Sequence, residues 1–295
     1  MTSGYPWRRP ALDVVASGFG FLEGPRWRDG VLYLSDFFAR RVLTVDASGT
    51  ARTVCEVPGQ PSGLGWTPDG DLLIVSMLDR RLLRLHGPDT SVVADLAPLA
   101  GGVTNDMIVD RHGRAYVGDV GQRTRGIVRP TVLQRVDPDG TVRVAADGLY
   151  APNGAVLTPD ERTLVIAETE ANRLTAFDVG ADGTLANRRT WARLGRDGPD
   201  GKAVEPDGLA LDRDGAIWTA DANGHGVLRV AAGGTVLDAI DTGPLSVYAA
   251  ALGGAGGHTL YLCAAPPVHH FDRERRPLGV LLAVTVDSPA AEEDP

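Results

Sequence analysis

Short apolar runs of the strand type, separated by polar turn residues, recur along this chain at a regular distance. The clearest example is EPDGLALDRDGAIWTAD, from Glu205 to Asp221. Pro206-Asp207-Gly208 leads in, an apolar strand follows, Asp212 to Gly215 turns, and a second strand from Ala216 to Ala220 ends at Asp221. Asp-Gly between two such runs is a strong hairpin signal. Related units begin at Glu23 (EGPRWRDGVLYLSD), Pro61 (PSGLGWTPDGDLLIVS), Thr104 (TNDMIVDRHGRAYVGD) and Pro152 (PNGAVLTPDERTLVIAE). A third apolar run follows each, as in Arg41 to Asp46 and Arg173 to Asp178. A sixth copy, Val247 to Ala265, keeps the two strands and loses the polar lead-in and the acidic exit.

Taking Glu23, Ser62, Asn105, Asn153, Asp207 and Val247 as equivalent positions, the spacings are 39, 43, 48, 54 and 40 residues. A period of about 40 to 50 residues with three or four short strands per repeat is the signature of a propeller blade. Six repeats predict an all-β, six-bladed β-propeller with a central channel. Leu12 to Val15 is a strand with no neighbouring hairpin partner, and Gly279 to Asp287 offers it one, closing the ring as a shared last blade. Residues 1–295 are expected to form one domain, with frayed tails at about 1–10 and 288–295.

Composition narrows the function. The chain has 29 basic and 38 acidic residues, a net charge of −9. With no basic run to neutralise phosphates, a nucleic-acid partner is not expected. No stretch of about 18 consecutive apolar residues occurs, so no membrane partner is expected either. Cys55 and Cys263 are the only cysteines. They are too few for a disulfide framework, which favours a reducing, cytoplasmic location.

In a propeller, one residue at the start of each innermost strand points toward a common axis. Here that set is Glu23, Ser62, Asn105, Asn153 and Asp207. Five oxygen donors without His or Cys suit a hard divalent cation, calcium first, then magnesium or manganese. Zinc, the remaining alternative, more often brings His or thiolate. Taken singly, Asn153-Gly154 and Asp207-Gly208 are ordinary turn formers. Glu23 is neither a turn former nor a strand former, and the recurrence of a polar residue at a strand start in five copies favours the cation. The strand exits Asp36, Ser76, Asp119, Glu168 and Asp221 form a second polar ring, expected to cap strands and bind the neighbouring blade's backbone. Trp66, Tyr116 and Trp218 are expected in packing. His225 is an outside candidate for the channel mouth. His269-His270 reads as a solvated loop pair, because adjacent strand residues point to opposite faces.

The segments EGPRW, TNDMIVDRHGRAYVGD, PNGAVLTPDERTLVIAET and PDGLALDRDGAIWTAD, in that order, resemble the gluconolactonase, regucalcin and luciferin-regenerating enzyme family. The resemblance implies a six-bladed propeller with one catalytic divalent metal in its channel. It places Glu23, Asn153 and Asp207 at the metal-ligand positions, Asn105 facing substrate or metal, and Asp106 in contact with substrate. It also makes Asp207 the base. Sugar-lactonase members often carry an Arg two residues before the equivalent of Asn105; this chain has Val103 there, implying a less polar small-molecule substrate. The expected activity is metal-dependent hydrolysis of a lactone or related ester. A phosphotriesterase, a non-hydrolytic ring rearrangement and a binding propeller with a structural cation are the alternatives. The surplus of carboxylates over turn requirements and the asymmetric mouth left by the sixth copy favour an enzyme. Gly121 to Thr131 and Gly195 to Val204 are expected to shape the substrate site as loops.

Overall fold

The computed structural model describes residues 5, 7–124, 127–195, 202–267 and 277–291. They form six four-stranded antiparallel blades. The innermost strands are Leu22–Arg28, Pro61–Trp66, Thr104–Val109, Pro152–Leu157, Pro206–Leu211 and Ser246–Gly253. Each contacts the next in sequence, and Ser246–Gly253 returns to Leu22–Arg28, so the ring is closed. Two short 3-10 turns are present, and no α-helix occurs among the described residues. None of their helices is long and apolar enough to cross a membrane.

Period-two alternation explains how a blade is buried on both faces. Along the second strand of blade 5, Ile217 packs into the core shared with blade 4, whereas Trp218 packs into the core shared with blade 6. In blade 3, Val117 faces blade 2 and Tyr116 faces blade 4. Six such cores, one per blade interface, hold the ring together. The second strands of blades 3 and 5, facing a neighbour on both sides, are therefore buried throughout, while the outer strand Ala51–Glu56 is largely exposed. Trp66 lies partly buried in the same way, edge-on to Tyr33 at a centroid distance of 5.1 Å.

Ring closure follows the expected pairing. Asp13–Phe19 runs antiparallel to Gly279–Thr285, with Asp13 opposite Ala283, and completes blade 6. Within the two end segments, the described residues make specific contacts. Trp7–Arg8 adds a fifth, parallel strand to blade 5, beside Val236–Asp241, and Arg8 pairs with Asp238 at 2.8 Å. At the other end the Ala290 and Ala291 amides donate to Gly257 O and Leu211 O, and Ser288 is buried. Residues 1–4, 6 and 292–295 lie outside the described residues. In the Gly121 to Thr131 insertion, Arg123–Thr124 pairs with Ile127–Val128 as a small hairpin; most of the Gly195 to Val204 segment lies outside the described residues.

Candidate active site

Every blade carries the same irregularity at the same place. The pairing of first and second strands slips by one residue between Glu23 and Arg26, Pro61 and Leu64, Thr104 and Met107, Pro152 and Ala155, Pro206 and Leu209, and Val247 and Ala249. A bulge of this kind bends the strand and re-aims a side chain. In five blades the residue at the slip is the polar one: Glu23, Ser62, Asn105, Asn153 or Asp207. The next residue is Gly in four of these, because the neighbouring blade's backbone is close. A Cβ on Gly154 would stand 2.5 Å from Asp207 O, and one on Gly208 would stand 2.5 Å from Ala249 Cα.

The polar residues meet across the ring. Ser62 Oγ donates to Asn105 Oδ1 at 2.9 Å, and Asn105 Nδ2 donates to Asn153 Oδ1 at 2.9 Å. Ser35 Oγ donates to Ser62 O at 2.6 Å, and Thr169 Oγ1 donates to Pro206 O at 2.8 Å. Side chains from blades 2, 3 and 4 thus form one chain of hydrogen bonds that fixes both amides.

The carboxylates converge from other blades. Asp106 Oδ1 accepts the Met107 amide at 2.8 Å and Arg26 Nη2 at 3.2 Å. Arg26 comes from blade 1 and also donates to Met107 O at 2.6 Å, so it crosses from blade 1 to blade 3. Asp207 is buried, and its Oδ1 has no hydrogen-bond partner. Burial pushes its carboxyl well above the usual range; the charges of Asp106, Glu205 and Asp221 push the same way, against a hydrogen bond with Asn153. Burial likewise raises the Cys263 thiol of blade 6, and Glu23, Asp106 and Asp207 all add to that rise. Carboxylates from blades 1, 3 and 5 thus act on the same buried thiol. Among the described residues no group of three or more His, Cys, Asp or Glu is arranged to hold a metal. A cation here would instead take the mixed set of Glu23, Asn153 and Asp207.

Residues 21–266 match the family described as the SMP-30/Gluconolactonase/LRE-like region. The chain belongs to that family. A 6-deoxy-6-sulfogluconolactonase of Pseudomonas putida is 28% identical over 247 residues, covering 82% of each chain. A pentonolactonase of Haloferax volcanii is 29% identical over 256 residues, covering 85% of this chain and 84% of the relative. The crystal structure of a calcium-binding protein, regucalcin, from Agrobacterium tumefaciens superposes with a TM-score of 0.78 at 19% identity, covering 97% and 96% of the two chains. That last likeness concerns the fold.

Within this family member, the residues expected at the axis occupy equivalent strand positions, and the structure joins Asn105 to Asn153 directly. Val103 is partly buried and packs on the core between blades 2 and 3, while its carbonyl accepts the Val120 amide at 3.1 Å. The second polar ring plays a different part from the one expected. Asp36 accepts the amides of Gly20 and Phe21, Asp119 that of Gly101, Glu168 that of Tyr150, and Asp221 that of Glu205. These carboxylates tie down the loop leading into their own blade's inner strand, next to the axial residue, instead of a neighbouring blade. Burial is the main cause that pushes the Asp221 carboxyl up to about 6. His225 follows Asp221 in a turn, with a buried Nδ1 that has no partner; His269-His270 lies outside the described residues. Sequence reasoning missed Arg26 and the placement of Cys263. The Arg inside EGPRW was legible as a charge next to the axial Glu23, but its partner stands 80 residues away.

Proposed function

We propose that this chain hydrolyses a lactone with the help of one divalent cation held by Glu23, Asn153 and Asp207. The observation that carries the reading is Asp207 Oδ1, a buried oxygen with no partner on a carboxyl whose proton affinity is raised by burial and by the neighbouring charges of Asp106, Glu205 and Asp221. An isolated buried carboxylate is costly, and a cation removes that cost. The donors are all oxygens, which fits a hard ion, calcium first and magnesium or manganese next. Two relatives named as lactonases and a fold neighbour described as calcium-binding support the same reading.

When bound, the cation polarises the lactone carbonyl and stabilises the oxyanion that forms on it. The chain's own residues do the rest. Asn105, clamped between Ser62 and Asn153, presents a fixed amide to the substrate. Asp106, held by Arg26 and the Met107 amide, offers a fixed acceptor for a substrate hydroxyl or for water. Asp207 takes a proton from the attacking water as the new C–O bond forms. It returns that proton to the ring oxygen as the ring C–O bond breaks, leaving a hydroxy acid. Free Cys55 and Cys263 are consistent with work in a reducing, cytoplasmic compartment.

The test is a pH-stat assay over a panel of γ- and δ-lactones, open-chain esters and a phosphotriester. Turnover of lactones well above the other classes is expected. Turnover confined to the phosphotriester, or to none of the panel, would replace the lactonase reading by one of the alternatives above.

A further inference from the structure

A seventh apolar cluster belongs to none of the six blade interfaces. Phe21, Tyr248 and Ala265 are buried in it, with Phe37, Phe38 and Ala222 partly buried against them. Phe21 stands two residues before Glu23, Tyr248 follows the axial position of blade 6, and Phe37 and Phe38 follow Asp36. The cluster therefore lies at the same end of the blades as the axial polar residues. The rings contact one another closely: Phe21 lies 4.6 Å from Tyr248 and 6.1 Å from Phe37, and Phe37 lies 4.8 Å from Phe38. Phe37 also packs against the core of blades 2 and 3, which contains Met77 and against which Val103 packs as well. An apolar arc thus runs through blades 6, 1, 2 and 3, from Tyr248 through Phe21, Phe37 and Met77 to Val103. The polar groups Glu23, Ser62, Asn105, Asp106, Asn153 and Asp207 come from blades 1 to 5, so the apolar arc stands beside a polar face and not on separate blades.

A mouth split in this way orients a substrate that is itself split. The carbonyl and ring oxygen of a lactone belong on the polar side, next to Asn153 and Asp207. Whatever the lactone ring bears lies against the aromatic arc. Phe21, Phe37, Phe38, Met77 and Val103 offer no side-chain hydrogen bonds, and the Tyr248 hydroxyl already faces Pro266 O at 3.4 Å. A hydroxyl-rich substituent would lose its water there without replacement, whereas an aryl or branched alkyl group would lose none. Resting on the lactonase reading above, we infer that the substrate is a lactone carrying an apolar substituent, aryl or alkyl, next to its ring oxygen, and that Phe37 and Phe38 select it.

The experiment compares kcat/KM for γ-phenyl-γ-butyrolactone with that for a pentono-1,4-lactone. The apolar lactone should be favoured by about tenfold or more, the scale of selection an apolar pocket provides. Phe37→Ser and Phe38→Ser should raise KM for the phenyl lactone about fivefold while leaving kcat and the pentonolactone little changed. Phe37→Leu should restore the preference, which separates lost apolar contact from lost folding. Val103→Arg should shift the ratio toward the pentonolactone. Equal or better turnover of the pentonolactone by the native protein would overturn the inference. If no lactone is opened, the lactonase reading fails by itself. Calorimetric binding of the corresponding uncleavable lactams then decides the arc: tighter binding of the phenyl lactam supports it, and tighter binding of the hydroxylated lactam sinks it.

Discussion

Asp207→Asn, assayed at saturating divalent cation, should lower kcat about 10²-fold or more, the scale of general-base catalysis. Asn keeps an oxygen for the cation but cannot accept the proton of the attacking water. Because Asp207 Oδ1 is buried without a partner, the neutral side chain should also relieve the mutual repulsion with Asp106 and Glu205. The stripped variant should therefore be at least as stable as the stripped native protein. Asn153→Ala provides the contrast, since it removes a proposed ligand, the partner of Asn105 and a hydrogen bond to Asp207, while the Asp207 carboxylate itself is kept. Excess cation should recover much more of its activity. Chelation of the native protein should remove activity, and calcium, magnesium or manganese should return it. Metal content measured beside kcat decides the matter. A fully metallated Asp207→Asn protein with near-native kcat would transfer the base role to another group, with Asp106 the nearest candidate. Undiminished turnover by exhaustively stripped native protein would remove the cation from the chemistry.

Glu168→Gln should cost about 3 kcal/mol of stability at neutral pH, the usual result of breaking a buried ion pair from one side. The carboxylate is fully buried and accepts from Arg173 at 2.8 and 2.9 Å, Thr175 at 2.5 Å, the Tyr150 amide at 3.0 Å and Arg188 at 3.2 Å. Burial pushes its pKa up, but the hydrogen bonds from Arg173, Thr175 and Tyr150 together outweigh burial, and the carboxyl sits below its ordinary value. For an acid lowered in the folded state, the stabilisation is complete above the unfolded pKa and is lost as pH falls through the folded one. The native protein should lose this contribution as the solution is acidified below the ordinary Glu range. The gap between native and variant in urea midpoint should therefore be widest near pH 7 and close toward low pH. A gap independent of pH would mean that packing, and not charge, holds this loop. The position has a functional reach, because Thr169 beside it bonds Pro206 O, next to Asp207.

The aromatic arc shows how far residue patterns carry and where they stop. Phe37-Phe38 reads in sequence as two apolar residues after a strand, with nothing to mark them as a wall of the site. Their partners Phe21 and Tyr248 lie at the two ends of the chain's repeats, and blade 6 meets blade 1 only when the ring shuts. Val103, by contrast, was legible as an apolar residue near an axial Asn. The structure adds that it shares a core with Phe37 and Met77.

By itself the sequence determined the number of blades, the strand order within each, and the equivalence of Glu23, Ser62, Asn105, Asn153 and Asp207. These depend on local rules: alternation with a period of two, an Asp-Gly or similar turn, and the recurrence of one polar position. It also determined that Leu12 to Val15 needed a distant partner, since a strand cannot leave its edge open. Tertiary structure alone decided which of these residues touch. The hydrogen bonds from Ser62 through Asn105 to Asn153, the reach of Arg26 across to Asp106 and the parallel strand Trp7–Arg8 on blade 5 join residues from 43 to 232 positions apart, and the same packing leaves an oxygen of Asp207 without a partner. A linear pattern carries no distances between such residues. Closing six blades into a ring sets the diameter of the channel, and the bulge in each inner strand sets the aim of the side chain within it. Those two lengths turn a repeated polar residue into a site.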